Sequence, residues 1–472
     1  MLTRPWPANS AALAAGIGVD LLAWGRPAGP GLSTALALVA AAVWVTIRVH
    51  QRVGKTVTIL LVAATGMAAV PSIRASLVLV GLSVFAWLVL VAVAVGRNRN
   101  GDLVTWVMTR YVRSGLEWVI AVAEPVRMVS AELDGARASG AAFARRWLPL
   151  LRGLVLSWIV LTFFTVLLAA ADPIFGGIVA ETLDVDLSPD RVIRFAMVGG
   201  GCAWLVLGLS RRAIGESDRF VQYRPSGFGV TEAQIVLGSL NLLFAGFLAV
   251  QFTYLFDGRV GRVELGYAQY ARQGFFELVF VAGCVLALIL VTDWLVAMRV
   301  QSLDVLHIGL VAQTLVMTWS AVVRMLAYTN EFGLSELRVY TTAFMAWIAV
   351  MMVLLSATVL RSRRDSFAFG AFIAGIVAIL SLVAINPDAL IAQTNLARSD
   401  STHGVDVAYL TTLSADAVPA LAAAADSADP VTQRMLVESL DLVRSDLLRH
   451  SETWGWRSWS FAHHRAFEAI PD

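Results

Sequence analysis

The sequence predicts an all-α protein, a polytopic transmembrane helical bundle of about eleven spans with a small C-terminal helical domain. Three observations carry this. Hydrophobic residues fill 58% of the 472 positions and charged residues only 15%, where a soluble domain has about a quarter charged. The apolar residues recur in runs of about 20, the length an α-helix needs to cross the hydrocarbon core. The last run stops at Asn386-Pro387-Asp388, and a mostly polar segment continues to Asp472.

The runs lie at 8–25, 31–48, 56–72, 75–96, 150–172, 192–210, 231–256, 274–297, 303–327, 337–360 and 367–386. The first is the weakest, being short and carrying Asp20. Their connections differ in charge. With the N-terminus inside, the inner segments hold 21 of the 36 Lys and Arg, while the outer segments and outer helix ends hold nine. Cytoplasmic loops carry the Lys and Arg excess, so this orientation is favoured. An odd span count then puts the C-terminus outside the cytoplasm. The expected location is a bacterial cytoplasmic membrane, with the lipid bilayer as the first partner. The four expected segments are a four-span part (1–96), a cytoplasmic amphipathic part (97–152), a seven-span core (153–386) and an extracytoplasmic helical domain (387–472). In the second, Trp106 and Trp118 alternate with Arg110, Arg113 and Arg127, a pattern that suits either an interfacial helix or a solvated helix pair.

Asn386-Pro387-Asp388 reads as a helix start, because Asn caps, Pro fits the first turn and Asp suits the positive end of the dipole. A helix over about 387–397 is expected to turn away from the last span. Ser414 is expected to cap the next helix, and Asp429-Pro430 to open a longer one. In that longer helix Leu436, Leu440, Val443 and Leu447 form one apolar stripe. Trp454, Trp456 and Trp459 suit either a membrane interface or the domain core. The tail from Asn386 has twelve acidic residues against six Arg.

Ionisable groups inside spans are costly to bury and mark candidate sites. Near the outer helix ends the sequence places Gln251, Tyr254, Tyr270, Arg272, Glu277, Arg324, Tyr328, Glu336, Arg338, Asn386 and Asp388, a candidate polar cavity. Glu277 and Arg324 are singled out as a pair, either a structural ion pair or a ligand site. No metal or cofactor is expected. Cys202 and Cys284 both lie in apolar runs, and His463-His464 lacks a metal-binding frame. No nucleotide-binding or nucleic-acid signature occurs, so nucleic acid is not an expected partner.

Three stretches carry a resemblance: "YAQYARQGFFEL" from Tyr267, "NPDALIAQTNLAR" from Asn386 and "YLTTLSADAVPAL" from Tyr409. Together they resemble an uncharacterised family of bacterial multi-pass membrane proteins defined only as a domain of unknown function, over roughly residues 150–470. The resemblance implies the membrane architecture and supplies no activity or site residue. Three functions remain open. The first is binding or passage of a small polar molecule through the outer cavity. The second is a sensor or scaffold that recruits an envelope partner through the tail. The third is an intramembrane enzyme using Glu277 as acid or base.

Overall fold

The structure, a computed structural model, describes residues 14–15, 17–19, 21–23, 26–50, 53–100, 142–183, 229–256, 275–296, 300–358, 364–398, 405–426 and 429–470. The described chain is 88% helical and contains no strand, so the all-α class holds. Two compact units result. One comprises Met1–Met108, Phe332–Phe344 and Ala368–Asp472; the other comprises Thr109–Glu331 and Met345–Phe367.

The helices, numbered along the chain, are α1 Pro30–His50, α2 Lys55–Ala68, α3 Val70–Ile73, α4 Leu77–Asn100, α5 Ala142–Ala171, α6 Pro173–Leu183, α7 Val230–Phe256, α8 Phe275–Leu295, α9 Gln301–Phe332, α10 Glu336–Thr358, α11 Arg364–Ile385 and α12 Pro387–Leu396. The tail adds α13 Val407–Leu410, α14 Val418–Ala425, α15 Pro430–Trp454 and α16 Phe461–Ala469, with a 3₁₀ turn at Gly455–Arg457.

Among the described residues, seven helical segments are long and apolar enough to cross a membrane: α1, α2 with α3, α4, α5, α7, α9 and α10. The bent pair α11–α12 raises the number to eight if it counts as one span. The expected count of about eleven is therefore not confirmed. The expected span at 192–210 lies outside the described residues, and that at 8–25 is described only in pieces. At the place of the expected eighth span stands α8, a helix of 21 residues. The expected amphipathic segment also falls largely outside the described residues. Large apolar side chains on these helices point outward, among them Ile59, Phe85, Trp158, Leu242 and Trp319, each more than half exposed. Outward apolar faces on long helices suit lipid rather than water as the surrounding solvent.

Helix ends follow local chemistry. Asp172, before Pro173, accepts hydrogen bonds from the backbone N–H of Ile174 (3.0 Å) and Phe175 (3.2 Å), capping α6. Helix α9 ends at Gly333, whose φ of +75° is cheap only for glycine. Asn386 separates α11 from α12 with φ 55° and ψ 77°, and the two helix axes differ by 46°. Asn tolerates this left-handed conformation better than most residues, and Pro387 supplies the first helical turn without needing an N–H partner. The helix expected after Asn386 is present. Its cap differs in kind, because the Asn386 side chain bonds across to the tail rather than to its own helix.

The tail packs around its own core. Leu436, Leu440 and Leu447 of α15 are buried with Val443 beside them, as the stripe predicts. They meet Leu410, Val418 and Leu421 from α13 and α14, Ile391 from α12, and Ala466 from α16. Asp429 caps α15 by accepting from Val431 and Thr432 N–H. Ser414 does not cap α14, whose N-cap position is Ala417; its hydroxyl turns to Asp388 instead. Trp459 packs against the tail core, whereas Trp456 is 61% exposed.

Candidate functional site: two buried arginine–aspartate clusters

Among the described residues, each unit holds one Arg–Asp pair shielded at the ends of its helices. In the second unit, Arg324 of α9 donates from Nη2 to Asp172 Oδ2 at 3.0 Å and from Nη1 to the Ala171 carbonyl at 3.5 Å. Both side chains are at least nine-tenths buried. Gln251 of α7 donates to the same Asp172 oxygen at 3.5 Å. The carboxylate thus does two jobs. Oδ1 caps α6, while Oδ2 joins α9 and α7 to the end of α5. Charge-assisted bonds of this type are the strongest available in an apolar bundle.

In the first unit, Arg74 stands between α3 and α4. Its Nη1 donates to Asp416 Oδ1 at 3.0 Å, and Nε and Nη2 donate to the Val383 carbonyl near the end of α11 at 3.1 and 2.7 Å. Asp416 accepts two further bonds, from the Ala75 N–H (2.8 Å) and from Asn386 Nδ2 (3.2 Å). Asp388, only 1% exposed, accepts from the Ser414 hydroxyl at 2.5 Å and the Ser414 N–H at 3.3 Å. Ser76 Oγ lies 3.2 Å from the Tyr340 hydroxyl. It also approaches the Asp388 carboxylate, without closing a bond of normal geometry: Asp388 Oδ1 and Asn386 Oδ1 are both buried with no hydrogen-bond partner.

Two more contacts tie the tail to the α9–α10 connection. The Glu336 N–H donates to the Tyr409 hydroxyl at 3.0 Å. The Asn395 side chain accepts from Leu334 N–H at 2.7 Å and donates to its carbonyl at 2.9 Å. A third seals the tail against the head of α1. A methyl group added at Gly29 would come within 2.6 Å of Ser458 Cα, and one added at Gly31 within 3.0 Å of the Arg457 carbonyl. Glycine is required where two backbones approach this closely. Ser458 also donates to the Pro27 carbonyl at 3.2 Å. The connections before α1, between α3 and α4, between α9 and α10, and between α11 and α12 therefore all meet the tail. They share one end of the first unit.

The predicted site residues divide between these places. Gln251 and Arg324 belong to the Asp172 cluster, and Glu336, Asn386 and Asp388 to the tail cluster. Arg338 donates to the Phe332 (3.2 Å) and Gly333 carbonyls, closing the end of α9. Tyr328 packs against the apolar core of the second unit. Tyr270, Arg272 and the Tyr254 side chain lie outside the described residues. The expected Glu277–Arg324 pair is corrected: among the described residues no ion pair joins them, and Arg324 takes Asp172 instead. The sequence suggests a common depth for the two residues, but depth does not fix which way a side chain points around its helix.

Asp172, Asp416, Arg74, Ser76 and Ser414 were missed as site residues. Asp172 could have been found from the Asp-Pro signature of a helix start. Asp416 had no local signal, because its partner lies 342 positions away.

No curated protein and no solved structure matches the chain. A family model described as a domain of unknown function, DUF4153, matches residues 58–424, a stretch that runs from within α2 to within α14 and includes both arginine–aspartate clusters. A multi-helix membrane protein with that match over most of its length belongs to the DUF4153 family.

Proposed function

We propose that the chain is an integral scaffold of a bacterial cytoplasmic membrane, N-terminus inside and C-terminus outside, that presents residues 387–472 to an envelope partner. One observation supports this above the others. Arg74 grips both the end of a membrane helix and Asp416 of the tail, so the tail is keyed to the bundle and not tethered by a loose linker. A keyed tail offers a partner a surface of fixed attitude, which lowers the ordering cost of binding. The face of α15 away from the core carries Val431, Met435 and Leu442, all exposed.

The test is a photo-crosslinking side chain placed at Leu442 in living cells. The scaffold reading expects a discrete adduct that weakens when Asp416→Asn loosens the tail. Absence of adducts from Leu442, Met435 and Val431 alike would sink it.

Binding of a small polar molecule is a second reading, favoured by the two unpartnered oxygens of Asn386 and Asp388. It expects Asp388→Asn to remove a ligand-dependent rise in melting temperature while leaving any Leu442 adduct in place.

A further inference from the structure

The 3₁₀ turn Gly455–Arg457 rests on the first residues of α1, one of the helices long and apolar enough to span the membrane. With α1 taken as a span, that contact sets the turn at the end of its apolar stretch, where hydrocarbon gives way to water. Trp456 stands there 61% exposed. Beside it, Leu448, Gly455, Trp459 and Phe467 complete a groove of about 380 Å³. Tryptophan prefers this depth, where its ring meets acyl chains and its N–H meets headgroups.

Arg457 gives the groove a charge. Its guanidinium carbon lies 5.8 Å from the Trp456 ring centroid. Its Nε is buried with no hydrogen-bond partner, and no carboxylate is within ion-pair distance among the described residues. Phosphate oxygens match the planar donor fork of arginine, and anionic lipid headgroups present them at this depth.

We infer that Arg457 and Trp456 form a binding site for the phosphate headgroup of an anionic phospholipid, with the acyl side of the lipid against the Leu448–Phe467 groove. The inference goes beyond the scaffold reading, needs no protein partner and holds whichever leaflet the tail faces. The main chain of residues 457 and 458 and the Arg457 Cβ carry the close contact with Gly29 and Gly31, and both Arg457→Gln and Arg457→Lys keep these atoms. Changes to the side chain therefore leave that docking in place.

The purified full-length protein in detergent is melted with added phosphatidylglycerol, phosphatidylcholine or inorganic phosphate. Phosphatidylglycerol is expected to raise Tm saturably, by on the order of 2 °C, and more than phosphatidylcholine does. Arg457→Gln should abolish the difference between the two lipids, and Arg457→Lys, which keeps the charge and loses the planar fork, should keep only part of it. Should Arg457→Gln not fold, Trp456→Ala serves in its place and should diminish the same difference. The inference is overturned if the lipids act alike on the unaltered protein, if the variants respond as it does, or if inorganic phosphate alone reproduces the shift.

Discussion

The two arginine–aspartate pairs have nearly the same contact distance and different neighbourhoods. Arg324–Asp172 joins membrane helices to one another, and its carboxylate also caps the helix that follows it. Arg74–Asp416 joins a connection between membrane helices to a residue of the tail, and its arginine keeps 15% of its side chain exposed. The first pair is part of the bundle's interior. The second is a seam between a membrane part and a polar part. The same chemistry is therefore worth more in one place than in the other, because the desolvation that an orphaned charge suffers grows with burial.

The largest expected effect breaks the interior pair. Asp172→Asn removes the carboxylate charge that Arg324 meets at 3.0 Å in the interior and should cost about 3–5 kcal/mol, read as a fall in Tm and in detergent-extracted yield. Glu277→Gln, which removes no ion pair among the described residues, should change Tm far less. Equal losses would restore the Glu277–Arg324 pairing that the sequence suggested.

Breaking the seam should be milder and confined to the tail. Asp416→Asn takes the charge from a bond network that Arg74 can partly exchange for water, at a cost of about 2–3 kcal/mol. Limited proteolysis should then cut between residues 398 and 470 at rates well above those of the unaltered protein, while helices α5 to α10 stay protected. Uniform loss of protection would mean that the seam also holds the membrane helices.

The smallest effect sharpens the comparison within the tail itself. His463 is held down at about 4 from the usual 6.5, first by burial and then by neighbouring His450, whose ring stacks on it at 4.9 Å. Its Nδ1 also accepts the Ser460 N–H in the cap of α16, which requires the neutral ring. The folded value lies below the unfolded one. The stabilisation is thus complete above pH 6.5 and is lost as pH falls through the window down to about 4. The loss should be about 2 kcal/mol, less than the full shift implies because the ring is partly solvated. His463→Gln keeps a cap acceptor and should flatten the pH dependence of tail unfolding, followed by tryptophan fluorescence. An unchanged profile would assign the titration to another group.

Much of the fold was legible from residue order alone. The Leu436–Leu440–Leu447 stripe, the Asp429 cap and the turn at Asn386-Pro387 are local patterns, set by helical period and by backbone preferences of single residues. The apolar runs gave the helices for the same reason. The polar site was legible only in part. Asn386 and Asp388 stood out because polar groups are rare at the end of a span. Arg74 read as an ordinary loop base, and Asp416 sat in an unremarkable Ser-Ala-Asp-Ala stretch. What makes them a pair is a meeting across 342 positions, which no local pattern records. The Glu277–Arg324 ion pair failed for the complementary reason: positions along two helices do not fix the direction in which their side chains point.

The seam also imposes an order in time. A chain is made from its N-terminus, so the connection carrying Arg74 is complete long before Asp416 has been synthesised. Until then the guanidinium has the Val383 carbonyl still to come and no carboxylate from the tail. The backbone at Gly29 is likewise bare until Ser458 arrives. Closure of this face thus waits for the tail, and a nascent chain stalled before it would display an uncovered arginine and a bare glycine ledge that the folded molecule hides.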